Sequence, residues 1–202
     1  MLPQNARIVA MSAIRKAVLS LPEFLAWEEQ QELRYEFDGL NAIAMTGGTD
    51  IHAAIQINLA RAIDSRLDGK PCRFRGSDLK IEVADRVRYP DGFVYCSAPR
   101  NNATIIRDPV VIFEILSDST AAIDYGIKND EYAATPSVRR YIILEQTRIA
   151  ARMFERRDGD WLGHLLGPNA VIGMPEIGIE VRLAEFYRNI EFGGDAAERV
   201  GG

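Results

Sequence analysis

One seven-residue run constrains this chain more than any other: Val110-Val111-Ile112-Phe113-Glu114-Ile115-Leu116. Its apolar residues suit a strand covered on both faces. Glu114 breaks that pattern, because an isolated carboxylate there costs several kcal/mol unless it is paired, protonated or bound to a cation. A second acid, Asp91, closes Arg88-Tyr89-Pro90-Asp91 and leads into Gly92-Phe93-Val94-Tyr95. Two acids on neighbouring strand ends form an oxygen-rich pocket of the kind a hard divalent ion prefers. The competing reading is that Glu114 pairs with one of the 24 lysines and arginines. The residues alone leave both open.

The 202 residues are enough for one domain with a sizeable core. We expect an N-terminal arm over 1–20, a single domain over 21–192 and a disordered tail over 193–202. No apolar stretch approaches the roughly 18 residues that span a bilayer. Pro22-Glu23 ends the run Ala17 to Leu21 too early for a secretory segment. Cys72 and Cys96 are too few for a disulfide framework or a zinc knuckle, so two reduced, buried thiols in a cytoplasmic protein are expected. A net charge of −5 argues against a uniformly basic nucleic-acid binder. It leaves room for an enzyme with local basic clusters, such as Arg139, Arg140, Arg148, Arg152, Arg156 and Arg157.

Pro22 opens a short helix. Segments 34–37 and 41–45 flank Asp38-Gly39, a hairpin signal. Ile51, Ile55, Leu59 and Ile63 recur every four residues, which predicts a helix over Ile51–Leu67, with Gly47-Gly48-Thr49-Asp50 stopping the strand before it and supplying an N-cap. Three strands are expected next, at Cys72–Val83, Arg88–Tyr95 and Val110–Leu116. A helix over Tyr125–Ala134 and a buried strand over Arg140–Leu144 follow. Arg148–Glu155 and Asp160–Leu166 read as a hairpin across Arg157-Asp158-Gly159, and Leu183–Tyr187 as a last helical turn. This order is that of an α/β fold with a mixed central sheet flanked by helices. Neither GxGxxG nor a Walker-type loop is present, and Ser77 and Ser117 lack a nucleophile-elbow context.

Tyr89-Pro90-Asp91, then Glu114-Ile115-Leu116 on the next strand, resembles the PD-(D/E)XK nuclease superfamily. More narrowly, the chain is similar to the Uma-two-type restriction endonuclease family. The segments that carry this are Arg34-Tyr35-Glu36-Phe37-Asp38-Gly39, His52, Tyr89-Pro90-Asp91 and Phe113 to Thr120, then Asp124 to Lys128 with Tyr132, and Pro136 to Tyr141. The resemblance implies a restriction-endonuclease-like core and a nucleic-acid substrate, DNA first. It also implies Mg or Mn held by Asp91 and Glu114. The superfamily's Lys two residues after the second acid is Leu116 here, and Lys128 on the next helix looks like its relocated counterpart. Asp118 stands where relatives commonly carry Pro, and Gly92 where they carry an aliphatic residue.

Glu114 and Leu116 share a strand face, so Lys128 can serve the acids only if its helix packs over the strand end. From the residues alone, Lys128 reads first as an exposed partner of Asp124, four residues away, in a surface ion pair. Glu36 is a candidate third carboxylate or a solvent-facing hairpin residue. His52, near a helix N-terminus, is a further catalytic candidate or a structural histidine; His164 is assigned no role. Two functions stay open: a metal-dependent endonuclease, and a non-catalytic dimeric binding module that keeps the fold. A homodimer is expected because duplex cleavage presents a two-fold substrate, and because Met153, Phe154 and Trp161 look surplus to the core.

Overall fold

The strand segments form two sheets where the sequence suggests one. The computed structural model describes residues 19–45, 47–99, 102–117, 121 and 123–192. Residues 1–18 of the expected arm and the whole expected tail lie outside these. The first element of the described residues is helix α1 (Leu21–Glu28), before which the Ser20 amide and hydroxyl both donate to Glu23 Oε2 at 2.8 and 2.6 Å. The hairpin β1 (Tyr35–Phe37) and β2 (Ala42–Ala44) follows, then the long helix α2 (Asp50–Leu67). Thr49 caps α2 by accepting the His52 amide at Oγ1, 3.2 Å.

Beyond α2, the expected strands break. Cys72–Val83 divides into β3 (Arg73–Gly76) and β4 (Lys80–Val83). The segment Arg88–Tyr95 divides into β5 (Arg86–Arg88) and β6 (Gly92–Tyr95). At the second break Pro90 has no N–H to give a ladder, and the chain crosses from one sheet to the other there. β4 and β5 form a two-residue hairpin whose turn residues, Ala84 and Asp85, both have positive φ (46° and 58°). Neither is Gly or Asn, so the turn left no sequence signal.

The remaining elements are β7 (Ile105–Ile106), β8 (Pro109–Ile115), a π-helical turn (Ile123–Lys128), α3 (Asn129–Ala134), β9 (Arg140–Leu144), β10 (Ala151–Arg157) and β11 (Asp160–Leu166). A small pair, β12 (Val171–Met174) and β13 (Ile179–Arg182), and a 3₁₀ turn at Leu183–Tyr187 complete the elements of the described residues. One sheet has the order β2-β1-β5-β4-β7 and the other β11-β10-β9-β8-β6-β3. The larger is mixed, with β8 and β9 parallel and β6 and β8 antiparallel.

Side-chain alternation along β8 decides where Glu114 points. Val111, Phe113 and Ile115 pack with Ile55, Leu59 and Ile63 of α2. Ile112 lies in the opposite layer, with Phe93, Tyr132, Tyr141, Ile143 and Ile81. Glu114 shares that second side, under the π-turn and α3. Met153 belongs to the α2-side core, and Phe154 and Trp161 pack against the other. These residues are therefore not spare apolar surface for a partner.

The cysteines also correct the expectation. Arg73 pairs with Tyr95 across β3 and β6, so Cys72 and Cys96 face each other one step further on and are joined in a disulfide, with Cα atoms 3.9 Å apart.

Gly92, the departure beside Asp91, has a steric reason. A Cβ there would lie 2.6 Å from Phe74 Cζ and 3.3 Å from Leu59 Cδ2. Gly92→Val should destabilise the fold by about 1–3 kcal/mol through this clash. Combining it with Phe74→Ala should recover part of the loss in a denaturant double-mutant cycle, and strict additivity would contradict the proposed contact.

Candidate active site

The β6–β8 register brings the two acids together. Gly92 pairs with Phe113, so the next position outward sets Asp91 beside Glu114. Asp91 is held on several sides. Its Oδ2 accepts the Ile115 amide at 2.7 Å, and its Oδ1 lies 3.2 Å from His52 Nε2. Its carbonyl accepts Gln56 Nε2 at 3.1 Å, and the same amide reaches Ser77 Oγ at 3.1 Å. Residues one turn apart on the first turns of α2, His52 and Gln56, thus fix the side chain and backbone of one acid. The hydrogen bond to Asp91 holds the His52 imidazole's pKa above its ordinary value, against the opposing effect of burial.

Lys128 reaches Glu114 from the π-turn. Its Nζ donates to Glu114 Oε1 at 2.8 Å, lies 3.3 Å from Asp124 Oδ1 and 3.6 Å from Glu36 Oε1. Tyr132, four residues on, donates its hydroxyl to the same Glu114 oxygen at 3.3 Å. Tyr141 backs the turn by donating to the Asp124 carbonyl at 3.2 Å. The π-turn, a form that recurs at functional sites, joins directly to α3 and lets one short segment present both Lys128 and Tyr132 to Glu114. Lys128 is buried, so the surface-pair reading does not hold. Leu116, at the superfamily's lysine position, is a half-buried apolar residue against the second core.

Glu36 faces inward, with 14% of its side chain exposed. Its Oε1 accepts the Tyr89 amide at 3.1 Å and its Oε2 meets Arg88 at 3.2 Å. Arg88, 1% exposed, also grips Glu131 through two bonds of 2.8 and 2.6 Å. Burial opposes the Arg88 charge, but its hydrogen bonds to Glu131 and the field of Glu36 outweigh it. Sequence reasoning missed Arg88, Glu131, Gln56 and Asp124 as parts of this assembly. Only Asp124 carried a signal, its spacing of four from Lys128.

The charges around Glu114 do not balance. Burial pushes its carboxyl up to about 8; Lys128 opposes that shift, while Asp124, Asp91 and Glu36 add to it. Lys128 is itself held protonated: burial works against its charge, but Glu114, Glu36 and Asp124 outweigh it. The pocket therefore favours one more positive charge, either a proton on Glu114 or a cation. Glu114 Oε2 accepts no hydrogen bond from the described residues, so one oxygen is left for such a cation. No cluster of three or more His, Cys, Asp or Glu side chains arranged to hold a metal occurs among the described residues. A two-carboxylate site of hard oxygens fits Mg²⁺ or Mn²⁺, because Mg²⁺ keeps several waters and takes only one or two carboxylates.

The pKa of Glu114 is raised on folding, so its contribution to stability is present below its unfolded pKa and lost as pH rises toward 8. Without divalent ions, the wild type should lose on the order of a few kcal/mol between pH 5 and 8.5 relative to Glu114→Gln. Thermal melts of both proteins across that range check this. Parallel curves would mean that Glu114 does not titrate there.

Comparison with known proteins fits this geometry. A family model described as "Putative restriction endonuclease", Uma2, matches residues 21–184. An uncharacterized protein of Synechocystis sp. is 32% identical over 178 residues, covering 86% of this chain and 94% of the relative. Another from the same strain is 27% identical over 162 residues, covering 77% and 92%. A crystal structure from Anabaena variabilis ATCC 29413, titled as "a putative nuclease belonging to DUF820", superposes with a TM-score of 0.70 at 18% identity. It covers 84% of this chain and 97% of that one, a likeness of fold. The chain thus belongs to the Uma2 restriction-endonuclease family.

Proposed function

We propose that this chain is a divalent-metal-dependent endonuclease that hydrolyses phosphodiester bonds in nucleic acid, DNA first. The observation that carries the reading is Lys128, brought from a separate helical segment onto Glu114 beside Asp91. Asp91 and Glu114 would hold Mg²⁺ or Mn²⁺. Such an ion supplies positive charge to a phosphoryl oxygen and lowers the pKa of a bound water. Lys128, kept protonated by its carboxylate neighbours, would donate to the phosphate oxygen on which charge develops. His52 orients Asp91 through Nε2, and Glu36, fixed by Arg88 and the Tyr89 amide, holds the far side of Lys128. A homodimer belongs to the same reading on the strength of the two-fold substrate alone.

The roles separate by experiment. Lys128→Met should lower Mn²⁺-dependent cleavage of mixed single- and double-stranded DNA by roughly 10²–10³-fold. It should still show Mn²⁺ binding by calorimetry. Asp91→Ala and Glu114→Ala should lose both binding and cleavage while remaining folded. Equal cleavage by the wild type and Asp91→Ala at matched purity would identify a contaminant. A wild type that neither cuts nor binds metal would favour the non-catalytic binding module. Light scattering at micromolar concentration should give the mass of two chains, and a monomer would count against the dimer.

A further inference from the structure

Many arginines of this chain are answered by carboxylates: Arg34 by Asp78, Arg66 by Glu185, Arg107 by Glu82, and Arg140 by Glu155 and Glu176. Arg152 and Arg156 are different. Neither forms an ion pair with the described residues, and each lies over an aromatic ring; Arg156 also donates to the Ala133 and Val138 carbonyls at 2.6 and 3.4 Å. The Arg152 guanidinium carbon is 4.3 Å from the centre of the Tyr125 ring, and that of Arg156 is 5.3 Å from the centre of a Trp161 ring. Both arginines lie on the same face of β10, on either side of Phe154, whose ring stacks on Trp161 at 6.3 Å.

The sheet register ties these pairs to the candidate active site. Leu165 pairs with Arg152, Arg152 with Ile143, and Ile143 with Glu114, so the four form one row on one face of the sheet. Arg152 is two strands from Glu114, about 10 Å at the backbone. Tyr125 precedes Lys128 by three residues on the π-turn. Asn129, immediately after Lys128, accepts the Trp161 indole N–H at 3.0 Å. Ile127 and Leu165, 54% and 80% exposed, provide apolar surface nearby. Glu145, which acts on Tyr125, is already paired with Arg148 at 2.9 Å.

We propose that Arg152–Tyr125 and Arg156–Trp161 form a track that binds a single nucleic-acid strand flanking the candidate active site. This rests on the nuclease reading. The chain carries a net charge of −5 and its site is walled by carboxylates, so a polyanion needs local positive charge to approach. Arg152 keeps its N–H groups for phosphate oxygens and Arg156 those not given to the Ala133 and Val138 carbonyls, while the flat guanidinium–ring pairs offer stacking surface to bases of any sequence. Neither pair is arranged as a base-edge reader, so the track is tolerant of sequence.

The test is fluorescence anisotropy of labelled deoxy- and ribo-oligonucleotides of about 15 nucleotides with the full chain in EDTA, which keeps cleavage silent. The double variant Arg152→Ala/Arg156→Ala should bind about tenfold or more weakly. Its log K against log salt slope should be shallower by about 1.4, for two phosphate contacts at about 0.7 each. Tyr125→Phe should keep the affinity and Tyr125→Ala lose part of it, with melts confirming that each variant folds. Should the double variant misfold, Arg152→Ala alone, at an exposed position, gives the same reading at smaller size. Wild-type affinity in the folded variants would overturn the track and leave the nuclease reading standing. Loss of self-association by ultracentrifugation without loss of affinity would overturn it too, by assigning this face to a second copy. A wild type that cuts with Mn²⁺ yet binds no strand in EDTA would reject the track alone. A wild type that neither cuts nor binds would reject both.

Discussion

An ammonium buried among three carboxylates is the interaction that the rest of this structure depends on. Glu114 stands on a strand packed on both faces, where an unpaired carboxylate is costly. Lys128 makes the position tolerable, but it does so from another element, so the π-turn and α3 must pack over the end of β8. Tyr132 and Tyr141 close that packing, edge to face at 4.7 Å. Arg88 occupies Glu36 and Glu131, which leaves Lys128 closer to Glu114 (2.8 Å) than to Glu36 (3.6 Å). Without that second cation, Glu36 would compete for the ammonium, and the acids beside Asp91 would repel one another more strongly. Breaking such a network by removing one partner is more damaging than its net contribution suggests, since the remaining charge stays buried.

The same arrangement links fold and chemistry. The strand crossing at Tyr89-Pro90-Asp91 carries the chain from the smaller sheet to the larger. It places Arg88 in the Glu36 network and Asp91 beside Glu114 within four residues of sequence. α2 serves both ends of the problem. Its apolar stripe covers one face of β8, while its first turns place His52 and Gln56 on Asp91. Asp91 is thus held by a backbone amide, an imidazole and a carboxamide, and Glu114 by an ammonium and a phenol hydroxyl on one oxygen, its other oxygen accepting no bond from the described residues.

Some of this was legible in the sequence. Glu114 announced itself as a charge in an apolar run and lies near the end of β8; Asp91, expected to close a strand segment, lies instead in the break just before β6. The helix over Tyr125–Ala134 was visible too, but only the family resemblance singled out Lys128, because spacing alone favours a surface pair with Asp124. The two-sheet division was not legible. It depends on a turn at Ala84-Asp85 with no Gly or Asn, and on a break at Ser77-Asp78-Leu79 that looks like a continuous strand. Arg88 and Glu131 carried no signal because their partner lies 43 residues away, a relation fixed by the sheet crossing and not by periodicity. The disulfide was hidden for the same reason: only the β3–β6 register sets Cys72 against Cys96.

The most direct test of the central claim is anomalous diffraction from crystals of the wild type and of Asp91→Ala soaked in Mn²⁺. A manganese peak between the Asp91 and Glu114 carboxylates in the wild type, with Lys128 nearby, and no peak there in the variant is the predicted result. A wild-type map with no peak at these acids, and Lys128 still closed on Glu114 at saturating Mn²⁺, would contradict the account.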